Sequence, residues 1–102
     1  MKNYLNKTVN ANSIRGVDTI TGKLCFFDDG YVFDAQSVNG VIRNPKIKYK
    51  SIAEIKPTNT LGIIPNGLTI QLKNGEVFKY VVFHRNDIIE FLSYKMNNGN
   101  KR

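Results

Sequence analysis

The 102-residue chain has no tryptophan, one cysteine, one histidine and only eight acidic residues against fifteen basic ones. Each shortage excludes a class of protein. A lone Cys25 cannot close an internal disulfide, which rules out a cystine scaffold and makes a reducing compartment the expected setting. Cys25 and His84 lie in unrelated segments with no third group to orient them, so no nucleophile–base constellation can be assembled. The same scarcity denies a metal its ligands. Apolar runs such as LCFF and YVVF are far shorter than the roughly 20 residues of a membrane span. The N-terminal MKNYLNKTVNANS lacks the apolar stretch of a signal peptide. The expectation is a non-enzymatic cytoplasmic protein without catalytic residues, metal, cofactor or transmembrane segment.

Turn signals are abundant. DDG (28–30), VNG (38–40), RNP (43–45), PNG (65–67) and KNG (73–75) divide the chain into pieces of strand length rich in Val, Ile, Phe, Tyr and Thr. KLCFF (23–27) and YVFDA (31–35) predict one hairpin; GLTIQLK (67–73) and EVFKYVVF (76–83) predict a second. In the latter, Leu68, Ile70 and Leu72 alternate with Thr69, Gln71 and Lys73, the period of a half-buried antiparallel strand. ANSIRGVDTIT (11–21) is expected to supply the first strand, AEIKPT (53–58) another, and KIKYK (46–50) a third with its lysines on one face. Asp28 and Asp29 are read as turn residues rather than a catalytic carboxylate pair. After His84, NDIIEFLSYKM (86–96) sets Ile88, Ile89, Phe91, Leu92 and Met96 on a helical stripe. Asn86 is the expected N-cap.

The expected core is Leu24, Phe26, Phe33, Ile47, Tyr49, Ile55, Leu68, Ile70, Leu72, Phe78, Ile88, Phe91 and Leu92. A 102-residue chain is one domain. Its expected parts are an N-terminal extension (1–10), the folded domain (11–96) and a flexible tail (97–102).

GKLCFFDDGYVFDA (22–35) resembles the GRAM signature, in which Gly precedes a strand, a tight turn and a Phe-rich return strand. Residues 47–92 are similar to the rest of that pattern: a strand, a loop, a Gly-turn hairpin and an Arg opening the last helix. The resemblance spans about residues 11–95. It implies the pleckstrin-homology superfold, a mainly β, partly open antiparallel barrel of about seven strands capped by one C-terminal α-helix.

Two features suggest binding. Arg43, Lys46, Lys48 and Lys50 form a basic strip in a chain of formal charge +7. Such a strip either solvates a face and discourages edge pairing or attracts an anionic surface. At about 1 kcal/mol per cation near an anionic membrane, four give only millimolar affinity. The second feature is PTNTLGIIPNGLTIQL (57–72), uncharged between Lys56 and Lys73. Residues 67–72 are expected core strand, and Leu61, Ile63 and Ile64 are the candidate membrane or partner contacts. The functional expectation is association with anionic membrane lipid, peripheral at the inner membrane face. A protein-interaction or self-association module using a helix/sheet-edge groove is the alternative. Weak nucleic-acid binding ranks third, since no stacking platform is evident.

Overall fold

The computed structural model describes residues 2–60 and 64–99, without the side chains of 60, 64, 65 and 99. Its strands are β1 (Thr8–Arg15), β2 (Asp18–Phe26), β3 (Gly30–Ser37), β4 (Gly40–Arg43), β5 (Ile47–Lys48), β6 (Ile52–Thr60), β7 (Ile64–Leu72) and β8 (Val77–Val82). A 3₁₀ turn covers Tyr49–Ser51, and helix α1 runs from Arg85 to Gly99. The strands form one antiparallel sheet in the order β4-β3-β2-β1-β8-β7-β6, with β5 pairing β3 beyond β4. Among the described residues, strand β6 pairs with β7 and with no second strand, so the sheet bends round without closing.

Alternation places the core. Leu24, Phe26, Phe33, Leu68, Ile70 and Leu72 are buried on the concave face, and α1 adds Ile88, Phe91 and Leu92 at i, i+3 and i+4. Tyr49 is buried as expected, while Ile47, Ile55 and Phe78 pack against the core half-buried. Phe91 is ringed by Phe26, Tyr4 and Tyr49 at centroid distances of 5.5, 5.8 and 6.4 Å, in edge-on or near-edge geometry. The helix thus seals one opening of the bent sheet.

Four expectations change. Residues 11–21 form two strands, because Gly16 at φ +62° turns the chain between Arg15 and Asp18. The segment 1–10 is no mere extension: β1 begins at Thr8 and Tyr4 is a core residue, 4% exposed. The KIKYK strand stops after Lys48. Tyr49 donates its N–H to Asp29 O (3.1 Å) and its hydroxyl to Phe27 O (2.8 Å), which draws the chain into the 3₁₀ turn. Helix α1 starts at Arg85, one residue before the expected cap, and continues through Asn97 and Asn98 of the expected tail. His84, at φ 57°, turns β8 into the helix and accepts from Ile88 N–H at 3.1 Å.

Candidate functional site

Two of the four cations of the basic strip are paired where they stand. Arg43, on the outer face of β4, makes a bidentate pair with Asp34 at 2.8 Å for each bond. Lys46 donates to Asp29 at 2.9 Å. Both cations lie over the Phe27 ring, at 5.7 and 5.4 Å from its centroid. The Arg43 guanidinium holds the Asp34 carboxyl below its ordinary range, and Lys46 does the same for Asp29, with Lys48 adding a smaller pull. Lys48 and Lys50 are exposed, the first on β5 and the second in the 3₁₀ turn. One strand face therefore does not present four unpaired cations. Asp28 of the neighbouring turn takes Lys95 at 3.4 Å.

Leu61 and Ile63 lie outside the described residues, as does the side chain of Ile64. The flanks of that hairpin are anchored. Arg85 Nη1 donates to Thr58 O at 2.8 Å, with longer contacts of 3.4 Å to Gly67 O and Asn59 Oδ1. Arg85 opens α1, whereas Lys95, ten residues on, reaches Asp28 beside the basic strip. At 1.5 Å per residue, about 15 Å of helix separates the two anchor points. The strip and the base of the uncharged hairpin therefore sit toward opposite ends of α1.

A different end of the sheet carries exposed apolar side chains. Antiparallel register places the β1–β2, β3–β4 and β7–β8 turns together: Ile14 pairs with Lys79, Gly22 with Ala35 and Ser37 with Gly40. Val17 and Val38, at the first two tips, are fully exposed. Val41 (61%) and Ile42 (58%) follow Val38 on β4, and Val77 opens β8. Val41 and Ile42, consecutive on β4, point to opposite faces of the sheet, so the exposed apolar side chains at this end are dispersed rather than one patch. The sequence held a faint signal: valine occupies the turn positions of RGVD and SVNG, where small or polar residues are usual.

Beside this end lies a groove of about 1100 Å³, the unclosed seam between β5 and the β7–β8 hairpin. Phe33, Leu72 and Tyr80 form buried parts of its lining, and Ile47 and Phe78 are half-buried members. Lys73 N–H donates to Ser51 O (2.8 Å), bridging the two sides. Arg15, Lys46, Lys48, Lys79 and Glu76 also border the groove, and α1 contributes no residue to it. Arg15 Nε contacts Ser13 Oγ at 3.4 Å. Burial pushes the Tyr80 phenol up to about 12, and its hydroxyl is 3.1 Å from that of Tyr31. Arg15 appears in the sequence as an unclustered cation next to Asp18. Its place at the seam depends on β1–β8 pairing, which no local pattern announces.

Cys25 is half-buried on the convex side, its thiol 3.3 Å from Asp34 Oδ2. Burial and the adjacent carboxylate both push the thiol up. Among the described residues, no group of three or more His, Cys, Asp or Glu could hold a metal ion, and no helix is long and apolar enough to cross a membrane.

No protein-family model matches the chain, and no curated protein does. Solved structures do. The C-terminal domain of an unknown protein from Leishmania infantum superposes with a TM-score of 0.74 at 16% identity, covering 91% of this chain and 84% of that one. Human RhoA in complex with the DH/PH fragment of PDZRHOGEF gives 0.70 at 14% identity, covering 92% of this chain and 29% of the matched chain. Inner membrane complex sub-compartment protein 3 from Toxoplasma gondii gives 0.66 at 12% identity, with 92% and 77% covered. These likenesses establish the fold: a pleckstrin-homology-like, partly open antiparallel barrel with one C-terminal helix.

Proposed function

We propose that this chain is a non-enzymatic, GRAM-like binding module that docks on an anionic membrane surface with its three-turn end. The observation that carries this reading is that Val17 and Val38 are fully exposed at two turns on the same end of the sheet. Arg15 and Lys79 stand next to that end on β1 and β8. Full burial of two valines at about 1.5 kcal/mol each, with two cations at about 1 kcal/mol each, gives roughly 5 kcal/mol. That corresponds to sub-millimolar binding, better than the millimolar limit of a purely basic strip. Lys48 and Lys50 contribute field rather than contact. The fold neighbours support a binding role in general terms, one being a DH/PH fragment complexed with RhoA.

The test is co-sedimentation with phosphatidylcholine vesicles, with and without phosphatidylserine. Wild-type protein should pellet with the anionic vesicles, more so at low salt, because exposed charges are screened over about 8 Å at physiological ionic strength. Val17→Ser with Val38→Ser should weaken binding at every salt concentration. An indifferent wild-type protein at low salt refutes the membrane reading. The protein-interaction reading then takes precedence, favoured by the unpaired outer edge of β4 beside Val41 and Ile42. Light scattering reads out self-association through that edge.

A further inference from the structure

We infer that the seam groove is a binding site for a monoacyl anion, a carboxylate or phosphate carrying a single aliphatic chain. The inference concerns a ligand inside the fold and does not require the protein to dock on a membrane. Four properties of the groove lead to it. The first is size: about 1100 Å³ lies slightly above the roughly 300–1,000 Å³ range of ligand pockets and is more than a bare phosphate can fill. The second is an apolar lining in which half-buried Ile47 and Phe78 face the seam and buried Phe33, Leu72 and Tyr80 back them from the core.

The third property is charge. Among the described residues, no carboxylate lies within ion-pair distance of Arg15 or Lys79, whereas Arg43, Lys46, Lys56 and Lys95 all have one. Glu76 is the one acid bordering the groove, and its Oε1 is occupied by Asn74 Nδ2 at 2.7 Å. The fourth is that the buried polar side chains of the lining are already paired. Ser13 Oγ is engaged by Arg15, and the Tyr80 hydroxyl by Tyr31. A polypeptide pressed against this inner part would bring backbone N–H and C=O groups that Ser13 and Tyr80 are not free to pair, at the cost of burying them unpaired. An aliphatic chain makes no such demand, and its single anionic head can stay at the rim near Arg15, which shares the face of Ser13 and Tyr80, with Lys79 adding field from the opposite face of β8. Ligand source is separable from ligand chemistry: a free fatty acid and a single-chain phosphate share the aliphatic chain and the negative charge, and differ only in the head offered to the rim.

The experiment titrates full-length ¹⁵N-labelled protein with octanoate, decanoate, decyl phosphate, decyltrimethylammonium and inositol hexakisphosphate, below micellar concentrations and without vesicles. Decanoate should bind more tightly than octanoate by about fourfold per added methylene. Amide shifts should concentrate at Ser13–Gly16, Ile47–Lys48 and Val77–Tyr80. Arg15→Gln should weaken decanoate by about tenfold, the size of one charge-assisted contact. Lys23→Gln, an exposed change across from Asp34 on the β2–β3 ladder, should leave binding unaltered. Decyl phosphate binding while decanoate does not would assign the site to phosphate heads within the proposed class. The inference is overturned by a flat chain-length series, by decyltrimethylammonium binding as well as decanoate, or by Arg15→Gln without effect. Shifts from hexakisphosphate alone would overturn it too, by showing a polyanion site. Because no bilayer is present, these outcomes are independent of the vesicle result.

Discussion

Truncating Tyr4 and Phe91 together should reveal one coupled aromatic unit that joins the two ends of the chain. Phe91 is fully buried and contacts the rings of Tyr4, Phe26 and Tyr49. Phe91→Ala should therefore cost about 3–5 kcal/mol, the usual range for a core phenylalanine. Tyr4→Ala removes a ring that is 4% exposed and packs 5.8 Å from both Phe26 and Phe91. It should approach the lower end of that range, about 3 kcal/mol. Edge-on pairs add about 0.5–1.5 kcal/mol beyond burial. The double variant should then be less destabilised than the sum by about that amount. A domain of this length has a total stability of about 5–15 kcal/mol, so the double variant is at risk of not folding. Phe91→Leu, at about 1 kcal/mol, keeps the measurement accessible when paired with Tyr4→Leu. The assay is urea unfolding with m-values checked for constancy. Tyr4→Ala costing under about 0.5 kcal/mol, as a solvent-exposed residue would, refutes the placement of residues 2–7 in the packed body.

Acid should selectively remove the contribution of the two strip ion pairs. Asp34 and Asp29 are held below their ordinary values, so the stabilisation is present above the unfolded carboxyl value of about 3.9 and is lost as pH falls through the lower folded values. Urea midpoints measured from about pH 5 downward should fall less steeply for Asp34→Asn than for wild type. Cys25 should label slowly at neutral pH, because its thiol is pushed up by burial and by Asp34. Asp34→Asn should speed labelling by a maleimide; an unchanged rate would show that the carboxylate does not govern the thiol.

What was legible in the sequence is what short-range periodicity records. Leu68, Ile70 and Leu72 alternate on β7, and Ile88, Phe91 and Leu92 repeat on α1, so their burial could be read directly. Tyr4 could not, because its partners Phe26 and Phe91 come from distant segments and nothing around it is periodic. The basic strip was visible as a composition, but the pairing of two of its cations was not. Arg43 finds Asp34 nine residues earlier across a hairpin, and Lys46 finds Asp29 seventeen residues earlier across the turn. The alternation of KIKYK was real in the sequence, yet two hydrogen bonds from Tyr49 to the β2–β3 turn outweighed continued strand pairing.

The uncharged stretch 57–72 now has a physical explanation for the part that is described. Gly67, Leu68, Thr69 and Ile70 are all buried, so a charged side chain at any of them would be taken out of water. Its neighbour β6 comes close: a Cβ on Gly67 would lie 2.9 Å from Thr58 Oγ1, and Thr69 Oγ1 contacts that same atom at 3.4 Å. A lysine at 58 or 69 would carry a charge into this contact without a counter-ion, a cost of several kcal/mol. Exposed Lys56 and Lys79 flank Thr69 on the neighbouring strands, and Arg85 enters from α1 to satisfy the carbonyls of Thr58 and Gly67. Neutrality between residues 66 and 72 is thus a demand of burial and not a sign of a binding surface. Outside this stretch, Val17 and Val38 are fully exposed at the tips of two hairpins. They lie 21 residues apart in sequence, and antiparallel register puts their turns at the same end of the sheet.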